Sequence, residues 1–525
     1  MKAVLAIAAL VLAVPALADP PKGFDSRVEM LRQQIGTPGV AIAIVENGKV
    51  VEAKGFGVRA LGGRDPVGPA TLFYNGSTTK AFTVAALAQL VDQGRIGWDD
   101  KVIDRLPGFQ MYDSWVTREM TIRDLLVHRS GLGLGAGDLL FVPTSNRTRA
   151  ETVERLRYIK PATSFRSGYA YDNILYMVAG QLIEAVTGQT WEDYVDDHVL
   201  KAAGMVNSTT RPARRLATVD RVKPHARLGG PIRGLGTLTV LDEKESSLGE
   251  NSAPAGSSMM VSAQDMGRWL QIQLGHGKLP DTDGRLFSAA ASDQMWSPVV
   301  IIPSRGLPPP LQAEDAMFQT YALGWDVHDY KGAKIVSHSG AVFGGQAIVV
   351  MIPEKNVGFA MMINAEDGEL LKGLTNELLD HYLQKPTQDW TADYIAFKKK
   401  RLAMAANMVG AKEAQPVAVG PSLPLELYAG HFADSWYGPI TISQGKDGLR
   451  IAFEKSPGMT GRLEHRQYDT FRTIWDNAAY EKADVTFGLD AQGKVAQITM
   501  KAASPLADFS WDYQDLLFTP VGTAK

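Results

Sequence analysis

The residues best suited to chemistry are a serine and a lysine at the start of a long apolar run. Ser77 and Lys80 stand three positions apart in the segment Asn75-Gly76-Ser77-Thr78-Thr79-Lys80. Residues three apart on a helix share one face, so the Lys80 amine can approach the Ser77 hydroxyl. A lysine in a dry site loses its proton more easily and can then act as the base that a serine nucleophile needs. The pair therefore predicts an activated serine nucleophile.

The segment after Ser77 predicts a buried helix from Thr78 to Gln93, ended by Gly94. Free amides and the helix dipole at its N-terminus would stabilise an oxyanion. The alternative is an ordinary serine that caps the helix. Ser443 and Lys446 have the same spacing but lie in a predicted hairpin turn, and we interpret that match as chance.

Two further segments carry polar residues beside apolar runs. Tyr171-Asp172-Asn173 precedes a second predicted helix, and His338-Ser339-Gly340 ends a predicted strand. Together with Ser77 and Lys80, these segments resemble the three motifs of the penicillin-recognising serine hydrolases. The resemblance is to the branch of class C β-lactamases, D-alanyl-D-alanine carboxypeptidase and D-aminopeptidase relatives, and related esterases. It spans about residues 25 to 385.

The resemblance implies catalysis through an acyl-enzyme. Ser77 would attack an amide or ester carbonyl, while Lys80 and Tyr171 take and return the proton. An aromatic residue that only packs against the next helix is the alternative for Tyr171. The family needs no cofactor for this chemistry, and we predict none.

The same resemblance implies a set of substrate-binding residues. Asn173 would orient both the substrate and the lysine, and the Ala341 amide, just past Gly340, would complete the oxyanion hole with the amide of Ser77. The class C β-lactamases have a lysine where His338 stands. An imidazole is largely neutral near neutral pH and can donate a hydrogen bond instead, which favours a peptidase or esterase over a dedicated β-lactamase. A structural histidine at the strand end is the alternative.

Hydrophobic patterning predicts an α/β fold. A hairpin over residues 40–51 turns at Asn47-Gly48, and a second hairpin covers residues 345–364, while the chain between them is mainly helical. We expect one antiparallel sheet flanked by helices, with a helical subdomain, which is also the β-lactamase/transpeptidase-like fold that the resemblance implies.

The C-terminal part predicts a separate all-β domain. Short strand-like runs separated by turns extend from Tyr428–Phe432 to Phe509–Tyr513. They resemble the small lipocalin-like barrel often appended to this family. Its role stays open between a packing or oligomerisation module and a cap on the active-site entrance.

The chain divides into four predicted segments. Residues 1–18 have the charged start, apolar core and small-residue end of a signal peptide, with cleavage after Ala18. A hydrolase domain at 23–395, a linker at 396–423 and the β-domain at 424–520 follow. We expect a periplasmic or secreted protein that is not integral to the membrane after cleavage, with an uncleaved anchor as the alternative.

Composition excludes several other classes. The chain has no cysteine, a formal net charge of -3 and no basic block, which argues against thiolate chemistry and nucleic-acid binding. The nine histidines are scattered and form no His-Glu-x-x-His motif, so we predict no metal. No Gly-x-Ser-x-Gly elbow supports an α/β-hydrolase.

These observations predict an exported serine hydrolase that cleaves amide bonds of small peptides. A carboxylesterase or β-lactamase on the same scaffold is the first alternative, and a non-catalytic penicillin-binding-like protein is the second. The partner is a small peptide or ester substrate, and the oligomeric state stays open.

Overall fold

The computed structural model of the chain describes residues 19–243, 250–304, 306–413 and 419–522. The predicted signal peptide at 1–18 lies outside these residues. Within them, no helix has the length and apolar character that crossing a bilayer requires.

An eight-stranded sheet forms the centre of the first part of the chain, and two short strand pairs lie outside it. The strands are β1 (Gly39–Glu46), β2 (Lys49–Gly57), β3 (Phe73–Tyr74), β4 (His225–Gly229), β5 (Gly236–Val240), β6 (Met260–Val261), β7 (Val300–Ile301), β8 (Gln319–Tyr321), β9 (Asp326–Tyr330), β10 (Ala333–Val342), β11 (Gly345–Ile352) and β12 (Val357–Ile363). The order in the large sheet is β2-β1-β12-β11-β10-β9-β8-β7, and the short pairs are β3–β6 and β4–β5.

Helices cover both faces of this sheet. The α-helices of the described residues are α1 (Phe24–Ile35), α2 (Lys80–Asp92), α3 (Val102–Arg105), α4 (Ser114–Glu119), α5 (Ile122–Leu125), α6 (Arg149–Glu154), α7 (Ile174–Thr187), α8 (Trp191–Tyr194), α9 (Pro212–Ala217), α10 (Ala263–Leu274), α11 (Ala289–Met295), α12 (Gly368–Tyr382) and α13 (Trp390–Glu413).

Strand β1 illustrates that the sheet is buried between two layers of helices. All its residues are buried, because alternate side chains enter two different cores. Val40, Ile42 and Ile44 pack with α1 and α12, whereas Ala41 and Ala43 face the core that contains α2 and α10. The prediction of one antiparallel sheet flanked by helices is confirmed.

Both predicted hairpins form. Asn47 and Gly48 have φ angles of 49° and 74°, the left-handed conformation that their turn requires. In the second hairpin β11 and β12 pair from Gln346↔Ile363 to Ile352↔Val357. The two hairpins bring the ends of the domain together, since β1 also pairs with β12.

The C-terminal part closes into an eight-stranded antiparallel barrel, which confirms the all-β prediction. The strands are β13 (Gly430–Asp434), β14 (Gly438–Gly445), β15 (Gly448–Phe453), β16 (Thr460–Gln467), β17 (Thr470–Trp475), β18 (Ala483–Leu489), β19 (Val495–Ala502) and β20 (Leu517–Pro520). Strand β20 pairs with β13 and closes the barrel.

One predicted strand of the barrel is wrong. Phe509–Tyr513 alternates apolar and polar residues but forms a loop that runs into a short 3-10 helix, Tyr513–Asp515. Two of its aromatic side chains contact the hydrolase domain, since Trp511 stacks on Phe343 and Phe509 lies beside Tyr171. The alternation of apolar and polar residues in this segment therefore reflects burial against the hydrolase domain and not a strand. The strand that closes the barrel is β20.

The region between the domains is more helical than expected. Helix α13 continues to Glu413, so the first part of the predicted 396–423 linker belongs to a helix. The run from Lys398 to Met408 is rich in Lys, Arg, Ala and Met, which are good helix formers. The domain boundaries themselves stay a prediction.

Candidate active site

Ser77 and Lys80 lie side by side at the start of α2. Ser77 belongs to a 3-10 turn at Gly76–Thr79, and the α-helix begins at Lys80 rather than at the predicted Thr78. The Lys80 Nζ and Ser77 Oγ atoms are 3.0 Å apart. This distance allows direct proton transfer between the hydroxyl and the amine.

The surroundings of Lys80 make its amine a suitable base. The side chain is fully buried, and Nζ donates hydrogen bonds to Asn173 Oδ1 at 2.7 Å and to the Ala255 carbonyl at 2.8 Å. Burial lowers the pKa of Lys80 to about 7, and the negative charges of Asp138 and Asp172 oppose this shift. A substantial fraction of the amine is therefore uncharged near neutral pH.

The Ser77 turn lies directly against the end of strand β10. A Cβ added to Gly340 would lie 2.3 Å from the Asn75 carbonyl oxygen and 2.9 Å from the Ser77 nitrogen. A Cβ at Gly76 would lie 2.6 Å from the Ala341 nitrogen. Only glycine permits this approach, which brings the backbone amides of Ser77 and Ala341 to one place.

The edge of β10 is open at that point. Strand β9 pairs with β10 only over Ala333 to Ser337, while β10 continues to Val342. Among the residues that the structure describes, the end of β10 therefore has no strand partner on the β9 side, although it stays paired with β11 on the other side. This is the arrangement that the predicted oxyanion hole requires, and the roles of Gly340 and Ala341 stay predictions.

Tyr171 lies beside both members of the pair. Its ring centroid is 4.7 Å from Lys80 Nζ. Burial raises the pKa of Tyr171 well above its ordinary value, and the hydrogen bond with the Ser77 hydroxyl opposes this shift. The phenol therefore keeps its proton at neutral pH, so it can relay a proton but is not a resting phenolate.

Aromatic side chains form one wall of the site. The His128 ring lies 4.2 Å from that of Tyr171 and 4.5 Å from that of Tyr321, between ring centroids. His128 is fully buried, and its Nδ1 accepts a hydrogen bond from the Asp172 amide at 3.2 Å. His128 is therefore a residue of the protein core.

His338 lies in the same wall, with its ring centroid 6.4 Å from that of Tyr171. Its Nδ1 lies 2.6 Å from the Ser339 carbonyl, which can only accept, so Nδ1 carries the proton. Its Nε2 then accepts from the Tyr321 hydroxyl at 2.8 Å. Burial and the nearby charge of Lys80 lower the pKa of His338 to about 3. The imidazole is therefore neutral, and both nitrogens are engaged within the protein.

Asn173 connects Lys80 to a buried carboxylate that sequence reasoning missed. The Asn173 amide group donates to Asp138 Oδ2 at 2.8 Å, and the Ser510 hydroxyl donates to the same oxygen at 2.7 Å. Burial raises the pKa of Asp138 to about 7, and these two hydrogen bonds oppose the shift. The sequence signal was a carboxylate inside the apolar run that ends Leu139-Leu140-Phe141.

A cavity of about 520 Å³ opens beside Ala341. We call it the interdomain cavity, because its walls come from the sheet, from helix α13 and from the barrel. Its apolar and aromatic lining comprises Phe343, Tyr394, Phe397, Leu402, Leu506 and Trp511. Cationic side chains lie over two of these rings, Lys372 over Tyr394 and Arg401 over Phe397.

The two parts of the chain match two known families. The family described as beta-lactamase matches residues 24–383, and a domain of unknown function matches residues 414–520. Unguisins hydrolase ungD of Aspergillus violaceofuscus is 27% identical over 429 residues, covering 77% of this chain and 73% of its own length. Penicillin-binding protein 4 of Amycolatopsis lactamdurans is 28% identical over 342 residues, covering 65% of this chain and 84% of its own length.

Solved structures share the fold at low identity. The octameric penicillin-binding protein homologue from Pyrococcus abyssi has a TM-score of 0.56 and 20% identity, and it covers 95% of this chain and 99% of its own. A class C beta-lactamase has a TM-score of 0.52 and 16% identity, covering 71% of this chain and 93% of its own.

Proposed function

Because the chain belongs to the β-lactamase-fold family of serine hydrolases, we propose that it cleaves amide bonds of small peptides through an acyl-enzyme. The observation that carries this proposal is the buried Lys80 amine, 3.0 Å from the Ser77 hydroxyl and with its pKa lowered to about 7. A serine becomes a nucleophile when a neutral base of this kind takes its proton.

The reaction proceeds in two halves. Ser77 Oγ attacks the carbonyl carbon while its proton passes to Lys80, and the carbonyl oxygen becomes an oxyanion facing the amides of Ser77 and Ala341. The C–N bond then breaks, and the leaving nitrogen takes the proton through the Tyr171 hydroxyl. A water molecule, deprotonated by the same groups, attacks the ester and releases the acid and Ser77.

Two features support a peptide as the substrate. The interdomain cavity beside Ala341 has room for several residues of a peptide, and its walls combine aromatic rings with charged side chains. The neutral His338 supplies no fixed cation of the kind that the family's β-lactamases direct at a carboxylate. The names of an unguisins hydrolase and of a penicillin-binding protein among the relatives agree with amide-containing substrates.

We further propose linearised microcystin as a candidate peptide and the periplasm as the place of action. The chain length, the histidine in the third motif and the C-terminal β-domain are similar to those of the exported serine peptidase that cleaves linearised microcystin. The signal-like residues 1–18 support export.

A labelling experiment tests the nucleophile. A fluorophosphonate should modify Ser77, and Ser77→Ala should abolish the label and lower kcat/KM by about 10³-fold or more. Thermal unfolding should change little, because the Ser77 hydroxyl contacts the side chains of Lys80 and Tyr171, and even a helix-capping serine contributes only about 1 kcal/mol. An unlabelled wild-type protein would instead favour the non-catalytic, penicillin-binding-like alternative.

A substrate panel tests the class of bond. Short peptides with D-residues and with L-residues, p-nitrophenyl esters and a chromogenic cephalosporin are compared by kcat/KM. We expect the peptides to be preferred. Turnover of the ester alone, or efficient turnover of the cephalosporin, would assign the chain as a carboxylesterase or a β-lactamase.

A further inference from the structure

The loop between β19 and β20, residues 503–516, leaves the barrel and packs against the candidate active site. Phe509 lies beside Tyr171, with ring centroids 5.8 Å apart. Asp512 accepts hydrogen bonds from the amides of Gly137 at 2.7 Å and Leu139 at 3.0 Å, on either side of Asp138. We call this segment the barrel loop.

A continuous chain of hydrogen bonds runs from the barrel loop to the nucleophile. Ser510 donates to Asp138 Oδ2 at 2.7 Å, and Asn173 donates to the same oxygen at 2.8 Å. Lys80 donates to Asn173 Oδ1 at 2.7 Å and lies 3.0 Å from Ser77 Oγ. Three hydrogen bonds therefore connect the barrel domain to the lysine amine.

Donor and acceptor chemistry fixes the direction of this chain. The Lys80 ammonium can only donate, so the Asn173 amide must face it with Oδ1 and must turn Nδ2 towards Asp138. A carboxylate oxygen accepts that bond, and Ser510 supplies the second bond to the same oxygen. The other oxygen, Asp138 Oδ1, is buried without a hydrogen-bond partner among the described residues. In the described part of the chain, the Ser510 hydroxyl is thus one of two groups that donate a hydrogen bond to this carboxylate.

We propose that the barrel domain takes part in catalysis through Ser510, a positioning residue that fixes Asp138 and, through it, the Lys80 amine. The inference rests on the proposed role of Ser77 and Lys80 in hydrolysis. It makes the active site incomplete without the C-terminal domain, because no group of the hydrolase domain replaces the Ser510 hydroxyl among the described contacts of Asp138.

The charges around Asp138 predict a specific effect on the pH profile. The Asp138 carboxylate raises the pKa of Lys80, and the Ser510 hydroxyl opposes the burial that raises the pKa of Asp138 to about 7. Without that hydroxyl, Asp138 stays neutral to a higher pH, and Lys80 loses its proton at a lower pH. Asp508 raises the pKa of Asp138, Asp138 raises that of Asp512, and Asp172 also raises that of Lys80; these aspartates all remain in the variant.

The test compares Ser510→Ala with the wild type on the best substrate of the panel. We expect kcat to fall about tenfold with KM nearly unchanged, since one hydrogen bond in the chain is lost. The acid limb of kcat/KM against pH should move to lower pH. Ser510→Thr keeps a hydroxyl and should restore kcat to within about threefold of the wild type.

A matched control comes from the same loop. Ser504 and Ser510 are both 8% exposed, but the bond that the structure shows at the Ser504 hydroxyl comes from the Leu506 amide of its own loop. Ser504→Ala should leave kcat and the pH profile unchanged. Equal losses in the two alanine variants, or a wild-type rate and an unmoved limb in Ser510→Ala, would overturn the proposal.

A second variant tests the proposal if Ser510→Ala does not fold. Asp138→Asn keeps an oxygen that can accept from Asn173 and removes the charge, so its acid limb should also move to lower pH. If the acid limb of kcat/KM against pH stays in place in Asp138→Asn, the proposed role of the hydrogen-bond chain from Ser510 to Lys80 is contradicted. Fluorophosphonate labelling of wild-type Ser77 distinguishes a failure of the Ser510 proposal from a failure of the proposed function. A wild-type protein without Ser77-dependent hydrolysis would contradict the proposed function itself.

Discussion

At the scale of single residues, the site depends on keeping one amine uncharged. Burial disfavours the Lys80 ammonium, while two buried aspartates favour it, and the balance leaves the pKa of Lys80 at about 7. The neutral His338 fits this balance, because a second cation at its position would further disfavour the ammonium. A neutral side chain at this position therefore leaves the pKa of Lys80 to burial and the two aspartates.

The first prediction concerns the pH dependence of hydrolysis. Lys80 accepts a proton from Ser77 only when it is neutral, so kcat/KM should rise as the pH rises through about 7. His338, with its pKa at about 3, stays neutral over this range and should not contribute to the limb. The measurement is kcat/KM for wild type and His338→Gln from about pH 5 to about pH 9.

The variant serves as the control for this assignment. His338→Gln retains a donor and an acceptor but cannot titrate, so the rate can change while the midpoint of the limb stays where it is. Loss of the limb in His338→Gln would assign it to the histidine and contradict the role of Lys80 as the base.

At the scale of elements, the sequence correctly predicted the strands and helices that consist of continuous apolar runs. Residues 345–352 were predicted as a strand, and they form β11. Helix α2 was predicted two residues too early, because the 3-10 turn that carries Ser77 has no distinct composition. Strand β16 was missed, since Leu463 is its only large apolar residue and Gly461 faces the backbone of the neighbouring strand at Ile474.

The second prediction concerns the contact between β10 and the Ser77 turn. A Cβ at Gly340 would meet the Asn75 carbonyl at 2.3 Å, and backbone on both sides must then move apart. Gly340→Ala should separate the amides of Ser77 and Ala341 and lower kcat by about 10²-fold, the effect of losing one oxyanion donor. Steady-state kinetics and the rate of fluorophosphonate labelling measure this loss.

Gly445→Ala is the matched control, because Gly445 is a strand glycine whose added Cβ would find no atom closer than 3.7 Å. It should leave kcat unchanged. If Gly340→Ala keeps the wild-type rate, the close approach of the strand to the Ser77 turn does not matter for catalysis, and the oxyanion assignment fails.

At the scale of the whole molecule, the barrel packs against the candidate active site. Apolar residues of the barrel and of the hydrolase domain belong to one continuous core cluster, and the interdomain cavity takes its walls from both. Asp138 and Ser510, which touch in the folded protein, are 372 positions apart in the chain. No local pattern marks such a pair, which is why the motifs identified Ser77 and Lys80 while the part played by the barrel stayed open.

The last prediction concerns the chain without its barrel. Deleting residues 424–525 removes Ser510 and the Asp512 carboxylate and exposes the apolar surface on which Trp511 and Phe509 pack. We expect the truncated protein to unfold at a temperature lower by about 5 °C or more, because that surface becomes exposed to water. Its kcat should fall below that of Ser510→Ala, since the wall of the interdomain cavity is lost together with the hydroxyl. Thermal unfolding and steady-state kinetics of the truncated chain, the Ser510→Ala variant and the wild type make the comparison. A truncated protein with wild-type stability and rate would show that the barrel is an independent appendage, and the site would then be complete within the hydrolase domain.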